Sequence, residues 1–267
     1  MLIDVMRNFM PIRYRQGLGL WSLYQASRCK FLLYPYFYVL CGDIPHNLRL
    51  LPNGQCEVIH RGYSIRAPRD GILAFVEVLQ DKIYNKYYTP QKGDTVIDIG
   101  AYVGAFSVKS VLDVGTTGRV VAIEPASSNQ AYLYSNTKSV PNITIIPVAV
   151  GASTGHGELL LSTASPCHTL AIKHEGETED VIIRSLDSIV SELGLDRVDF
   201  IKIDAEGYEL EILEGSTKTL KNNKLKLAVA SYHNLPNGEP ELHYIDKLLH
   251  KLGLKTTIRK GYIYAEN

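Results

Sequence analysis

The strongest restriction on the fold is a series of nearly continuous, β-branched apolar runs from Lys92 onwards. They are Thr95–Ile99, Val120–Ile123, Ile143–Val148, Asp199–Ile203 and Leu225–Ala230. A strand with one wet face alternates apolar and polar side chains, whereas a strand covered on both faces does not have to. Runs of this kind therefore belong in a parallel sheet sandwiched between helices. Segments with helical spacing separate them: Ala105–Leu112 after the first, Asn129–Ser139 after the second, and Leu186–Leu193, capped by Ser185, before the fourth. Another helix is expected to start near Glu206–Gly207. Glu241–Leu252 then places Leu242, Ile245, Leu248 and Leu249 on one face, and Gly253 stops it. The chain closes with Lys255–Arg259, a Lys260-Gly261 turn and Tyr262–Ala265, a hairpin whose last strand is expected to run antiparallel. The pattern predicts an α/β fold, doubly wound, with a mostly parallel sheet and a C-terminal antiparallel hairpin.

Residues 1–91 lack this alternation and are expected to form an N-terminal α+β arm or lid on a domain spanning 92–267. Tyrosines cluster in the arm at Tyr34, Tyr36, Tyr38, Tyr84, Tyr87 and Tyr88. Cys56–His60 and Tyr63–Ala67 predict two short strands about an Arg61-Gly62 turn, and Asp70 is placed to cap a helix from Gly71 to Tyr84. The longest apolar stretch, Phe31–Cys41, is too short to span a bilayer and contains Pro35. Arg7, Arg13, Arg15, Arg28 and Lys30 surround aromatics in this arm, which allows a peripheral membrane contact, although a helix docked on the main domain is the simpler expectation. The start of the chain lacks the order of a secretory signal, and Cys29, Cys41, Cys56 and Cys167 show no CxxC spacing. They are expected to be reduced thiols of a cytoplasmic protein. With 28 basic and 28 acidic residues the formal charge is zero, so no global field draws in nucleic acid.

In such a fold the ligand sits beyond the carboxyl ends of the central strands. The first strand ends Val96-Ile97-Asp98-Ile99-Gly100-Ala101-Tyr102-Val103-Gly104. Gly100 permits a tight turn and Gly104 lets the next helix pack close. A dinucleotide fingerprint would need GxGxxG here, but this loop is GxxxG with an acid before its first glycine. A carboxylate there repels phosphate and suits an ammonium, which points to a nucleoside carrying an amino acid: S-adenosylmethionine. Glu124, at the end of the second strand, falls where an acid can take ribose hydroxyls. Ala149, at the end of the third run, is a candidate contact for the adenine.

The fourth strand leads into Asp204-Ala205-Glu206-Gly207-Tyr208-Glu209. Carboxylates at that rim can orient an acceptor hydroxyl, take its proton or hold a divalent metal, and Asp204 and Glu206 are the candidates. Glu206, Glu209 and Glu211 also suit the first turns of a helix, where negative charge is favourable in any case. His233, after the fifth strand, is a candidate base or a structural histidine. His168 is a weaker candidate for the acceptor pocket.

Val-Ile-Asp-Ile-Gly-Ala-x-x-Gly, Ala-Ile-Glu-Pro, Pro-Val-Ala-Val-Gly, Ser-Leu-Asp and Ile-Lys-Ile-Asp-Ala-Glu-Gly-Tyr-Glu-Leu-Glu-Ile-Leu-Glu-Gly together resemble the FkbM family of S-adenosylmethionine-dependent methyltransferases over about residues 93–233. The resemblance implies a class I methyltransferase fold and methylation of hydroxyls on sugars, glycolipids or polyketide-type metabolites. It places Asp98, Gly100, Ala101, Tyr102, Gly104, Glu124 and Ala149 at the cofactor, and Asp204, Glu206 and His233 at the acceptor. Two positions depart from the family pattern: Tyr102 replaces an Asn, and Ser231 replaces a Glu two places before His233.

The expected activity is O-methylation of a small-molecule or glycan acceptor, with no nucleic-acid partner. One alternative is a cofactor-binding module without catalysis. A nicotinamide-dependent reductase is a weaker one: Tyr134 and Lys138 form YxxxK, but on the helix between the second and third strands and without GxGxxG.

Overall fold

The computed structural model describes residues 47–162, 168–170, 176–235 and 237–267. The chain divides into two compact units, Met1–Arg49 and Leu50–Asn267. The basic cluster from Arg7 to Lys30, the apolar stretch Phe31–Cys41 with its tyrosines, and Cys29, Cys41 and Cys167 lie outside the described residues.

The second unit is built on a seven-stranded central sheet. Its strands, with those of two smaller sheets, are β1 (Gln55–His60), β2 (Tyr63–Pro68), β3 (Thr95–Ile99), β4 (Arg119–Ile123), β5 (Ile143–Ile146), β6 (Ala149–Val150), β7 (Gly155–Leu160), β8 (Thr178–Arg184), β9 (Phe200–Ile203), β10 (Lys226–Ala230), β11 (Lys255–Arg259) and β12 (Tyr262–Glu266). In the central sheet the order is β5-β4-β3-β9-β10-β12-β11. All neighbouring pairs from β5 to β10 are parallel, and β12 lies antiparallel between β10 and β11. The terminal hairpin thus folds back so that its last strand enters the sheet. Strands β3, β4, β9 and β10 carry the fully buried Ile97, Val121, Ile201 and Val229, as expected of strands covered on both faces.

The helices are α1 (Ile72–Phe75), α2 (Ala105–Val114), α3 (Ser127–Thr137), α4 (Leu186–Glu192), α5 (Glu209–Glu214), α6 (Thr217–Asn222) and α7 (Glu241–Lys251). Ser185 caps α4 as its sequence suggests, its hydroxyl accepting from the Ser188 amide at 3.2 Å. Successive strands run outward from β3 to one edge, and the chain then returns to β9 on the other side of β3. That reversal opens a crevice at the carboxyl ends of β3 and β9.

Three expectations need correcting. The third strand ends at Ile146, and Ala149 instead begins a second, three-stranded sheet of order β6-β8-β7. Pro147 interrupts the ladder because it has no amide hydrogen to donate. The segment after Asp70 is not one capped helix: Arg69–Gly71 is a 3-10 turn without a side-chain cap, α1 follows, and Val76–Gln80 is a π turn. Lys82, in the left-handed region at φ 50°, ends it. The helix expected at Glu206–Gly207 begins at Glu209, since Glu206 (φ 54°) and Gly207 (φ 94°) are both left-handed.

Residues 50–91 belong to the same compact unit as the sheet. The Asn136 side chain on α3 accepts from the Arg66 amide at 3.0 Å and donates to the Arg66 carbonyl at 2.8 Å. Tyr84 packs edge-on against Phe106, 5.7 Å between ring centres. The β1–β2 hairpin itself forms where the sequence places it, with His60 facing Tyr63 across Arg61-Gly62. Cys56 is buried there, and burial pushes its thiol up to about 12, so it behaves as a small apolar residue.

Candidate functional site

The loop after β3 is shaped by close backbone approach. Gly100 has φ 72°, and a Cβ there would stand 1.8 Å from the Asp204 carbonyl oxygen. Gly104 has φ 87°, and its Cβ would meet Leu133 Cδ1 at 2.7 Å. Gly100 is therefore required by packing as well as by conformation, and Gly104 by its left-handed conformation. Ala101 is buried and its amide donates to the Ile123 carbonyl at 3.0 Å. Tyr102 is left-handed at φ 53°, a conformation Asn adopts more readily than Tyr, which gives a backbone reason for Asn at this position in the resembling pattern. Its hydroxyl reaches Gly71, where a Cβ would come within 2.3 Å of it.

Glu124 ties this loop to β4. One of its carboxylate oxygens accepts from the Tyr102 amide at 2.8 Å, and the other from the Ala126 amide and Asn129 Nδ2, each at 3.1 Å. Burial raises its pKa despite these donors. Glu124 is thus fixed by both of its oxygens between the loop after β3 and the start of α3.

Asp98 is fully buried and its partners lie inside the protein. Its Oδ2 accepts from Ser107 Oγ at 2.6 Å, and its Oδ1 lies 3.1 Å from Lys202 Nζ. The register of β3 on β9 sets this pair by placing Lys202 directly beside Asp98. Lys202 also donates to the Gly100 carbonyl at 2.6 Å and lies over the Tyr84 ring, 5.3 Å from its centre. Burial pushes the Lys202 ammonium down, but Asp98 and Asp204 hold it above its usual value, so it stays charged. An ammonium thus already neutralises Asp98, and the Asp98–Lys202 pair fixes the Gly100 turn from beneath.

Asp204 stands at the carboxyl end of β9. Its Oδ2 accepts from the Tyr84 hydroxyl at 2.5 Å, while its Oδ1 is buried without a hydrogen-bond partner. Tyr84 belongs to the segment expected to be an appendage. Tyr262 packs edge-on against Tyr84 (5.8 Å between ring centres) and Tyr232 against Tyr262 (5.5 Å), giving an aromatic wall. Burial and the Asp204 charge hold the Tyr84 and Tyr232 hydroxyls well above their usual range, so both remain donors. Glu77, on the π turn, is raised to about 8 by burial and by Asp204 and Glu206.

Beyond Asp204, His233 lies between two glutamates: Nε2 is 3.4 Å from Glu206 Oε2 and Nδ1 is 3.5 Å from Glu209 Oε2. Burial pushes the imidazole down, but Glu209 and Glu206 outweigh it and raise its pKa well above the usual value. Burial and neighbouring Asp204 and Glu209 raise Glu206, while Glu209, despite burial, is held down by His233 and by the Ala205 amide. Glu241, at the start of α7, joins this cluster. It is fully buried, its Oε1 accepts from the Leu210 amide at 2.9 Å, and burial with Glu209 raises it to about 8.

The structure therefore joins Asp98 to the Gly100 turn through Lys202 and Glu124 to Tyr102 directly, while Asp204, Glu206 and His233 follow the ends of β9 and β10. Ala149 is buried in the second sheet, paired with Ile183 and packed with Ala126. His168 Nδ1 accepts from the Ser162 amide at 3.0 Å. Tyr134 is exposed on α3, so its YxxxK spacing joins no site. Ser231 uses its hydroxyl to donate to the Gly261 carbonyl at 3.0 Å, bracing the terminal hairpin. Sequence reasoning missed Lys202 as the Asp98 counter-ion, Tyr84 as the donor to Asp204, and Glu241. Only Lys202 left a signal, sharing a strand face with Asp204.

The strand order and the acid-bearing crevice define a class I S-adenosylmethionine-dependent methyltransferase. Residues 98–256 match the methyltransferase FkbM domain, and the chain belongs to that family. Over 183 residues it is 27% identical to the hexuronic acid methyltransferase AglP of Haloferax volcanii, covering 68% of this chain and 72% of that protein. It is 23% identical to part of the AMB antimetabolite synthetase AmbE of Pseudomonas aeruginosa, covering 70% of this chain but 11% of that protein. Among solved structures, the FkbM methyltransferase of Methylobacillus flagellatus aligns with TM-score 0.49 and 17% identity, over 98% of this chain and 57% of its own. Fibrillarin of Aeropyrum pernix, solved with S-adenosylmethionine bound, aligns with TM-score 0.47 and 14% identity, over 84% of this chain and 85% of its own. No helix among the described residues is long and apolar enough to cross a membrane.

Proposed function

We propose that this methyltransferase transfers the methyl group of S-adenosylmethionine to a hydroxyl of a sugar, a glycolipid or another small metabolite. The observation that carries the reading is Asp204: a carboxylate at the carboxyl end of a central strand, oriented by Tyr84 through one oxygen and with its other oxygen free of donors. Such a group suits a hydroxyl acceptor, because it can accept the hydroxyl proton in a hydrogen bond and take it as the C–O bond forms. The methyl carbon passes from sulfur to the acceptor oxygen in line, the C–S electron pair stays on sulfur, and S-adenosylhomocysteine leaves. Positioning of the two reactants supplies most of the acceleration.

In this reading Glu124 takes the ribose hydroxyls, and the Gly100–Gly104 loop, held by the Asp98–Lys202 pair, carries the methionine portion. Glu206 orients the acceptor. His233 holds Glu206 rather than acting as the base, since its flanking glutamates keep a proton on it near neutrality. The AglP relative supports a sugar acceptor. A hexuronic acid offers both hydroxyls and a carboxylate, and the charges of Asp204, Glu206 and Glu209 disfavour an anionic acceptor group here. The aromatic wall of Tyr84, Tyr262 and Tyr232 suits the apolar face of a sugar ring.

The test is a screen of glycan and metabolite acceptors with radiolabelled methyl donor, followed by alkali treatment of the product. An alkali-stable methyl ether is expected, and an alkali-labile methyl ester would refute hydroxyl transfer. Asp204→Asn should keep S-adenosylhomocysteine binding and lower turnover by about 10²–10⁴-fold. Full activity in that variant would remove Asp204 from the reaction. A chain that binds cofactor and methylates nothing in the screen would instead be a binding module.

A further inference from the structure

Glu209, His233 and Glu241 come from three different elements, yet each offers a ligand atom, and these atoms all lie within 4.8 Å of one another. Glu209 and Glu241 are fully buried. Two carboxyl groups facing each other in a dry interior need either a shared proton or a cation between them. Glu241 Oε2 has no hydrogen-bond partner, and neither ring nitrogen of His233 has one of good geometry.

Around this point every group is held by a second partner. Glu209 accepts from the Ala205 amide at 2.7 Å and the Gly207 amide at 2.9 Å, Glu241 Oε1 accepts from the Leu210 amide at 2.9 Å, and His233 Nε2 faces Glu206. When an ion displaces the Nδ1 proton of His233, the Nε2 hydrogen stays directed at Glu206 and Nδ1 presents a lone pair, the arrangement in which histidine ligates metals. Nδ1 points towards Glu209 Oε2 at 3.5 Å. Two ligands bound at about 2.1 Å to one tetrahedral ion stand about 3.4 Å apart.

We propose that Glu209, His233 and Glu241 form a binding site for one divalent transition-metal ion, with Glu206 as the carboxylate behind the histidine. One imidazole nitrogen with carboxylate oxygens suits Mn²⁺ or Zn²⁺ better than Ca²⁺. The ion joins the first residue of α7, the first residue of α5 and the loop after β10. It thereby sets the left-handed Glu206–Gly207 turn from which Glu206 faces the crevice. The site stands on its own residues and does not depend on the identity of the acceptor.

The full-length chain, stripped with chelator, is titrated with Mn²⁺ and followed by electron paramagnetic resonance. One tight Mn²⁺ per chain is expected, displaced by Zn²⁺, with selective broadening of the His233 ring resonances. Glu241→Gln should weaken Mn²⁺ at least about 10-fold while leaving the thermal shift with S-adenosylhomocysteine in place. In the wild-type chain, absence of saturable Mn²⁺ and Zn²⁺ binding up to millimolar concentration overturns the proposal, as does binding that leaves the His233 resonances sharp. The S-adenosylhomocysteine shift reports separately on the cofactor, so failure of the metal site and failure of the methyltransferase reading remain distinguishable.

Discussion

Replacing Asp98 by Asn leaves its shape intact and removes its charge. Lys202 Nζ lies 3.1 Å from Asp98 Oδ1, and the two side chains are 5% and 0% exposed. At an effective dielectric of about 20, charges at that distance attract by about 5 kcal/mol. Most of that offsets the desolvation of the two ions, so the intact pair adds little net stability. Breaking it is different, because the Lys202 ammonium then remains buried without its counter-ion, at a cost of about 3–5 kcal/mol. For a domain of this size each kcal/mol moves Tm by about 2–4 °C, so Asp98→Asn should lower Tm by roughly 6–20 °C. Removing both charges, as in Asp98→Leu with Lys202→Met, should recover most of that loss. The double variant also loses the Lys202 bond to the Gly100 carbonyl, so cofactor affinity should stay at least about 10-fold down while stability returns. Differential scanning calorimetry reads the first quantity and titration with S-adenosylhomocysteine the second. A single Asn variant as stable as the wild type would refute the buried pair. Normal cofactor affinity in the double variant would refute its role in holding the loop.

The same geometry sets three further outcomes. Gly100→Ala drives a Cβ into the Asp204 carbonyl and forces an unfavourable φ, so S-adenosylhomocysteine binding and thermal stability should fall together; a variant with unchanged Tm would contradict the close approach. Tyr84→Phe removes the donor to Asp204 and should lower kcat about 10-fold, equivalent to ~1.4 kcal/mol, with the KM for S-adenosylmethionine unchanged; a KM effect alone would move Tyr84 to binding. Glu77, raised to about 8 in the folded state from an ordinary value of 4.5, keeps its proton longer when folded than when unfolded. Its contribution therefore makes stability fall as pH rises from about 4.5 to about 8, and Glu77→Gln should flatten that part of the Tm–pH curve; equal slopes in the two proteins would refute it.

The features of the loop after β3 were legible in the sequence because they are local. The strand, glycine turn and acid of Val96–Gly104 fall within one loop, and Glu124 ends the next strand, so short spacings place both acids near the same crevice. The β1–β2 hairpin was legible for the same reason, its Arg61-Gly62 turn sitting between two short runs of strand-forming residues. Glu241 was not: at the start of an amphipathic helix it reads as a favourable N-terminal charge, and only the packing of α7 on α5 turns it inward. Ala149 was misplaced because a continuous apolar run does not show where a proline ends one sheet and starts another.

By itself, the sequence determined that this chain is a parallel α/β sheet with an acid-and-glycine loop after its first strand, since burial on both faces and a tight turn each demand particular side chains at fixed spacing. Only the tertiary structure decided what those acids touch. Pairing β3 with β9 puts Lys202 on Asp98 and makes an expected ligand contact an internal ion pair. Joining residues 50–91 to the sheet brings Tyr84 to Asp204, and docking α7 brings Glu241 to His233. Contacts between residues more than a hundred positions apart, such as Tyr84 with Asp204 or Asp98 with Lys202, depend on strand order and register. No local spacing encodes those.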